Sequence, residues 1–261
     1  PANHNRLCVK GRFGFDYVHH PQRLTVPLVR REGVAKDARA MIDPGDFGAA
    51  FREASWDEAL DLAAKGLGRV RDTFGARAMA GFGSAKGSNE EAYLFQKLVR
   101  VGFGTNNVDH CTRLCHASSV AALMECLNSG AVSNPVADVQ YADVILVIGA
   151  NPTVNHPVAA TFMKNAIERG TRLILADPRR TELARLATHY LQFRPDTDVA
   201  LLNAMLHTII YEGLTHDEFI ASRTTGFDEL KLRLAKYTPE VMAPICGIDA
   251  ATIREVARMY A

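Results

Sequence analysis

Several things are missing from this chain, and each absence removes a class of function. No apolar run reaches the roughly 18 residues that a membrane-spanning helix needs. The longest, Val144-Ile-Leu-Val-Ile-Gly-Ala150, has the length of a buried strand. The first residues lack the charged-then-apolar layout of a secretory leader, which makes the cytoplasm the expected compartment. Neither sign of charge dominates: 30 basic side chains meet 29 acidic ones for a net charge of +1. That balance gives no electrostatic case for nucleic acid or an anionic membrane as partner. No internal repeat and no low-complexity segment is present. The five cysteines, Cys8, Cys111, Cys115, Cys126 and Cys246, are odd in number and irregularly spaced, so a disulfide framework is not expected in a chain of this size. Cys126 and Cys246 read as small buried apolar residues.

What remains is an ordinary globular balance, 48% hydrophobic and 23% charged. The 261 residues suit one large domain, or one domain with parts of others. Texture changes twice along them. Residues 1–50 are rich in Pro, Gly, Arg and His with little periodicity, and predict extended structure and loops. Turn chemistry marks Arg30-Arg31-Glu32-Gly33 and Asp43-Pro44-Gly45-Asp46. At Ser55-Trp56-Asp57-Glu58 a serine precedes a glutamate by three residues, a capping box. Ala59, Leu60, Ala63, Leu67 and Val70 then mark one helix face, closed by Gly75. Met79-Ala-Gly-Phe-Gly83 predicts a short buried strand running into the glycine-rich loop Gly83-Ser-Ala-Lys-Gly87. Asn89 is placed to cap a helix from Glu90 to about Val101. Strand, glycine loop and helix N-terminus together form a common anion-binding arrangement.

Further on, strand and helix alternate. Ser118-Ser119 precede a helical stretch through about Leu127. Asp143–Ile148, Arg172–Ala176 and His189–Phe193 read as strands. Helices are expected over Pro157–Arg169, ending at Gly170, over Thr181–Ala187, and from an Asp198 cap through Tyr211 to Gly213. The tail from Asp217 is mostly helical, with a cap at Asp249 ahead of Ile253, Val256 and Ala257. Apolar strands between helices indicate a parallel sheet covered on both faces, and the crossover rule favours a doubly wound, Rossmann-like α/β domain. An irregular N-terminal segment and part of a second α/β domain complete the expected fold.

Ligands of open parallel sheets lie beyond the carboxyl ends of the strands. That rule singles out Gly149-Ala-Asn151-Pro-Thr-Val-Asn155-His156, Asp177-Pro-Arg179-Arg180 and Arg194-Pro-Asp196-Thr-Asp198. Three polar loops at one edge suit a nucleotide. Gly149 lets backbone approach a phosphate, Asp177 can accept from ribose hydroxyls, and Asp196 or Asp198 can accept from a guanine edge. Arg179 can pair with phosphate or stack on a base. Gly149-Ala-Asn-Pro lacks the second and third glycines of G-x-G-x-x-G, so a nicotinamide or flavin fingerprint is absent. Cys111-x-x-x-Cys115-His116 has no second Cys/His pair to complete a structural zinc site and matches no local cysteine-protease signature. By spacing alone its cysteines could be core residues, and the run Gly104-Thr-Asn-Asn-Val-Asp109 before them is polar and turn-like. A helix beginning after Ser118 would turn its positive end toward Cys115, which favours a thiolate. Cys8-Val-Lys10-Gly11 is ambiguous by itself.

Taken together, Leu7-Cys-Val-Lys-Gly-Arg-Phe-Gly14, Gly83-Ser-Ala-Lys-Gly-Ser-Asn-Glu-Glu91, Gly104-Thr-Asn-Asn-Val-Asp109, Cys115-His-Ala-Ser-Ser-Val-Ala121, Gly149-Ala-Asn-Pro152, Asp177-Pro-Arg179 and Ala200-Leu-Leu-Asn203 resemble the large (alpha) subunit of molybdenum- or tungsten-dependent formate dehydrogenases, in the molybdopterin oxidoreductase family. The cytoplasmic, NAD-linked type is the most similar. The resemblance implies that Cys115 ligates molybdenum, with His116 catalytic beside it. It implies that Cys8 is the last cysteine ligand of a 4Fe–4S cluster, that Lys10 lies between cluster and pterin, and that Lys86 lies near the active-site pterin. The three strand-end loops, with Gly149, Asn151, Asp177, Arg179, Asp196 and Asp198, then hold one guanosine half of a bis-molybdopterin guanine dinucleotide. A soft thiolate suits a redox metal, and an imidazole can take up or relay a proton.

The implied substrate is formate, and the implied partners are iron–sulfur and flavin or NAD-binding subunits. His116 directly after the cysteine favours formate over a nitrate reductase of the periplasmic type. A non-catalytic scaffold or electron-transfer homologue is the reading from a different class. By the same resemblance, residues 1–50 are the remnant of an iron–sulfur N-terminal domain. Residues 51–110 are part of a second α/β domain, and 111–261 are a Rossmann-like cofactor-binding domain. The expectation is an internal fragment of a longer subunit that by itself assembles no cluster and turns over little or no formate.

Overall fold

The structure, a computed structural model, describes residues 5–37, 39, 41–43 and 45–261, so Pro44 of the expected Asp43–Asp46 turn lies outside the described residues. The chain forms two compact units. The first is Phe13–Ser133; the second joins the N-terminal arm through Arg12 to Asn134–Ala261.

The opening region is less extended than its composition suggests, with a short helix α1 (Val9–Phe13) followed by a 3-10 turn over Gly14–His19. In the first unit, β1 (Leu28–Arg30) pairs antiparallel with β2 (Phe51–Glu53). Helix α2 (Trp56–Phe74) starts where expected, with the Ser55 hydroxyl accepting from the Glu58 amide at 3.2 Å. Glu58 does not complete the box. Its carboxylate pairs with the Arg52 guanidinium, Nη1 to Oε2 at 3.1 Å, because β2 delivers Arg52 within reach. The predicted apolar face of α2 is present, yet none of its residues is buried.

Strand β3 (Gly81–Gly83) leads through the glycine loop to α3 (Asn89–Lys97), which continues as a π-helical turn over Leu98–Phe103. Ser88 caps α3, one residue before the expected Asn89. Its hydroxyl accepts from Glu91, and the Glu91 carboxylate accepts from the Ser88 amide, a complete capping box. β4 (Val108–His110) pairs parallel with β3; it lies where the polar run Gly104–Asp109 read as turn. Asn107 makes that pairing possible, donating from Nδ2 to the carbonyls of Arg77 and Met79. A side chain at Gly81 would meet Val99 Cγ2 at 2.4 Å, so only glycine lets the fully buried Val99 seat against the strand. Helices α4 (Thr112–Cys115) and α5 (Ala117–Leu127) follow. Ser118 and Ser119 lie inside α5, and Cys126 is exposed on it rather than buried.

The second unit is the expected doubly wound layer structure. β5 (Val144–Ile148), β6 (Arg172–Ala176) and β7 (His189–Leu191) form a parallel sheet in that order. Alternation sends Ile145, Val147, Leu173 and Leu175 to one face. Two helices separate the first two strands, α6 (Pro152–Asn155) and α7 (Pro157–Glu168), and Ala166 of α7 covers that face. Buried Leu183 and Ala184 join it from a single 3-10 turn, Glu182–Arg185, where a full helix was expected; the segment before Thr188 is too short for more than one turn. Ile174, Ala176 and Leu191 face the other way. They meet α8 (Asp198–Tyr211), which is followed by α9 (Asp217–Arg223) and α10 (Phe227–Leu234), and then α11 (Pro239–Cys246) and α12 (Ala250–Tyr260) of the same layer. Helix α8 begins at Asp198, but the cap position is Thr197, without a side-chain cap bond. Asp249 caps α12 as expected, accepting from the Thr252 amide at 2.8 Å. Cys246 is fully buried.

Polar contacts tie α12 to its neighbours in that layer and to β7. Arg258 donates to both Glu212 oxygens, at 2.6 and 2.9 Å, and Arg254 donates to Glu240 at 2.8 Å. His189 Nε2 lies 3.1 Å from Glu255. The Arg254 hydrogen bond and Glu240's own backbone amide hold the Glu240 carboxyl down to about 2. Half-buried His207 stacks on Tyr211 with ring centroids 4.4 Å apart, its Nδ1 is buried without a partner, and burial, then Arg254, lowers its pKa.

Both shifts leave the unfolded state binding more protons at low pH. Denaturant melts at stepped pH are therefore expected to show stability falling below the ordinary histidine value near 6.5, and again from about 4.5 toward 2. His207→Phe should flatten the first decline and Glu240→Gln the second. In the first unit, Gly81→Ala is expected to cost about 1–3 kcal/mol by overpacking against Val99, read as a shift in the denaturation midpoint.

Candidate functional site

A cleft of about 770 Å³ belongs to the first unit and lies where β3 and β4 end. Phe82, Ala92, Phe95 and Val108 supply apolar wall; Ser84, Lys86, Gln96, Asp109 and His110 supply polar groups. Parallel pairing places Gly83 opposite His110, and the absent side chain at Gly83 leaves room for the His110 ring, whose Cδ2 lies 3.3 Å from where a Cβ would be. Lys86 is exposed on the glycine loop at the cleft rim.

The strand, loop and helix arrangement read as an anion site exists, but its amides are occupied. The Ser88 amide donates to Glu91. Glu90's carboxyl is pulled below its ordinary value by its own amide and then by the Ser88 hydroxyl. Two carboxylates already fill the helix N-terminus, so Lys86 is left as the cleft's one cation among its lining residues.

Beyond the cleft the chain turns through His110 into α4. Asp109 accepts from Arg113 Nε and from the His110 amide, both at 2.9 Å, which holds its carboxyl below the usual range. One helical turn later come Cys115 and His116, both exposed. His116 is the residue ahead of α5, at φ −149° with no side-chain cap bond. The positive end of α5 is thus next to Cys115, two residues earlier than expected. Cys111, at the other end of the turn, is exposed as well.

The second unit gathers the strand-end residues along one sheet edge. The Gly149 amide donates to Ala176 and the Asp177 amide to Leu191, extending the ladder past the strands. Gly149 has φ +59° and open space around it. Asn151 accepts from the Thr153 hydroxyl at 2.7 Å. Asp177 is buried, and its Oδ1 accepts from the Arg179 amide at 2.7 Å, which turns the Arg179 side chain to solvent. Asp196 holds the left-handed conformation at φ +65°, and Asp198 opens α8. Arg194 serves the frame instead: its guanidinium donates to the Pro244 carbonyl and its amide to Cys246.

The N-terminal arm docks on the same unit. Lys10 Nζ donates to the Val154 carbonyl at 3.4 Å, and the Arg6 guanidinium lies 4.6 Å above the Phe162 ring. Cys8 shares a small cleft with Pro157, Val158 and Thr161. The amides of Gly11 and then Lys10 favour its thiolate and lower its pKa. Lys10 therefore reaches the loop that carries Asn151. No group of three potential metal-ligating side chains occurs among the described residues, and no described helix is long and apolar enough to cross a membrane. His110 was not singled out by sequence pattern; its only signal was its place at the end of a strand that itself read as a turn.

Residues 23–242 match the model of the family described as molybdopterin oxidoreductase. The chain belongs to the molybdopterin oxidoreductase family. It is 40% identical over 260 residues to the F420-dependent formate dehydrogenase subunit alpha of Methanocaldococcus jannaschii, which covers 100% of this chain and 36% of that protein. It is 39% identical to formate dehydrogenase H of Escherichia coli, over 100% of this chain and 35% of that protein. Acetylene hydratase from Pelobacter acetylenicus has a similar structure, with a TM-score of 0.74 and 25% identity over all of this chain and 33% of that one. The chain thus spans about a third of the length of the curated relatives it matches.

The exposures set an order of thiol reactivity. Cys111, Cys115 and Cys126 are expected to alkylate with iodoacetamide in the native chain within minutes, and Cys246 only on unfolding; peptide mass spectrometry over a time course reads the difference.

Proposed function

We propose that this chain carries part of the active centre of a formate dehydrogenase large subunit, which converts formate to carbon dioxide with release of one proton and two electrons. The observation that carries the reading is Cys115 followed directly by His116, both exposed where the open end of α5 meets the turn leaving the cleft. The residues suit a bis-molybdopterin guanine dinucleotide with molybdenum or tungsten. A single accessible thiolate can ligate a metal held chiefly by its organic cofactor, and the cleft beside Lys86 has the apolar walls and mixed donors that a pterin needs. The cofactor, when bound, supplies the two-electron chemistry.

The chain's own residues position and protect. Cys115 anchors the metal. His116 accepts the proton as formate is oxidised. Lys86 balances cofactor charge. Gly149, Asn151, Asp177, Arg179, Asp196 and Asp198 form the guanosine edge, with open backbone at Gly149 for a phosphate and the exposed Arg179 for a base or phosphate. Cys8, whose thiolate is favoured by two backbone amides, takes the 4Fe–4S cluster with ligands from elsewhere in the subunit, and Lys10 lies on the electron route. The three-part division by origin, 1–50, 51–110 and 111–261, belongs to the same reading. On this reading the partners would be iron–sulfur and flavin subunits that take the electrons toward NAD in the cytoplasm. F420, named in the Methanocaldococcus relative, is the competing acceptor, and partner subunits decide between them.

In the full-length subunit, Cys115→Ser is expected to lower formate oxidation at least a hundredfold, the scale lost when only a metal's outer partners are removed (about 10–100-fold). Metal content should fall as well. His116→Ala should keep the metal and lose about 10²–10⁴-fold in kcat. Unchanged activity and metal in Cys115→Ser would indicate a scaffold instead, and turnover of nitrate but not formate would indicate a nitrate reductase.

A further inference from the structure

His110 has a fixed orientation and an unused donor. Its Nδ1 lies 3.1 Å from the Thr112 amide and 2.8 Å from the Thr112 hydroxyl. A backbone N–H can only donate, so Nδ1 is the acceptor and the neutral ring carries its proton on Nε2. The two ring edges face different ways. Nδ1 is turned to Thr112, which does not line the cleft, while Cδ2, bonded to Nε2, lies against Gly83, which does. Nε2 makes no hydrogen bond to any described residue. Gly83 is the second half of the device: a side chain there would press on the ring at 3.3 Å.

We propose that His110 is a ligand-binding residue of the cleft, donating from Nε2 to an acceptor on a planar heterocycle, the carbonyl oxygen or ring nitrogen of a pterin. The inference rests on reading the cleft as the pterin site. The surroundings fit such a ligand in kind. Phe82 and Phe95 offer aromatic wall, Gln96 can both accept and donate, and Lys86 can meet an anionic substituent. The donor is tied to the ring's tautomer, and the tautomer is set by the backbone of Thr112, so the donor is in place before any ligand arrives. Asp109 steadies the turn from the other side through Arg113 and the His110 amide.

Asparagine and glutamine separate the two ring nitrogens, since the asparagine side chain reaches the Nδ1 position and glutamine the Nε2 position. The test uses the full-length subunit purified with its cofactor. Pterin per chain is measured by fluorescence after oxidative release, before and after gel filtration, with melting temperature as a check on folding. His110→Gln is expected to retain pterin near the wild-type level. His110→Asn and His110→Leu are expected to lose it about five- to tenfold faster, the scale of one hydrogen bond, at unchanged melting temperature. Retention in Asn with loss in Gln would assign His110 to the Thr112 turn alone and overturn the proposal. Equal retention in all three, or equal loss in all three, would also overturn it. A wild-type subunit that holds no pterin would instead remove the underlying reading of the cleft.

Discussion

Backbone hydrogen bonds between three parallel strands set the geometry of the second unit. With Val144 opposite Arg172 and Ile174 opposite His189, the strands end in step, and the amides of Gly149 and Asp177 carry the ladder one residue further. A one-residue slip in β6 would send Leu173 and Leu175 to the opposite core and pull Asp177 out of line. Register therefore decides at once which side chains are buried and which loops share the edge. The buried Asp177 shows the economy of this arrangement. Its carboxylate caps its own loop through the Arg179 amide, so the guanidinium two residues on is presented outward without further support.

Much of this was legible in the sequence because parallel strands buried on both faces leave little ambiguity. Arg172–Ala176 has the bounds its apolar run implies, and Asp198–Tyr211 the bounds of its periodicity. The errors share a cause. Ser88 took the cap from Asn89, and Thr197 the cap position from Asp198, since neighbouring polar residues have similar propensities and only loop geometry chooses between them. β4 was hidden because Val108-Asp109-His110 has one apolar residue in three. What makes it a strand is β3 beside it and Asn107 serving the carbonyls of Arg77 and Met79. The helix face of α2 was read correctly as amphipathic, but periodicity says which side is apolar and not what covers it. Cys126, exposed on α5, carries the same lesson.

The candidate site residues divide along similar lines. Cys115, His116 and Lys86 could be named from motif order, since each lies in a short polar run of chemically demanding residues. His110 could not, because the role proposed for it comes from two relations that sequence spacing does not encode: the facing glycine across a parallel pair, and the amide two residues on that selects its tautomer. The glycine loop taught the reverse. Its pattern is that of an anion nest, yet Glu90 and Glu91 occupy the helix amides with their own carboxylates. Lys86 is then the one lysine or arginine among the cleft's lining residues, beside the carboxylates of Glu91 and Asp109.

The docking of the N-terminal arm also bears on the order in which the protein takes shape. Lys10 and Val154 are 144 residues apart, and Arg6 waits for Phe162 in the same way. The whole of Phe13–Ser133 is synthesised between them. On a ribosome adding about 5–20 residues per second, the arm spends many seconds with no surface to bind. Its docking is a late, long-loop closure, and until then Cys8 lacks the neighbours Pro157, Val158 and Thr161 that share its cleft. The thiol gains these neighbours only after the sheet unit has begun to form, so its folded surroundings are among the last the chain completes.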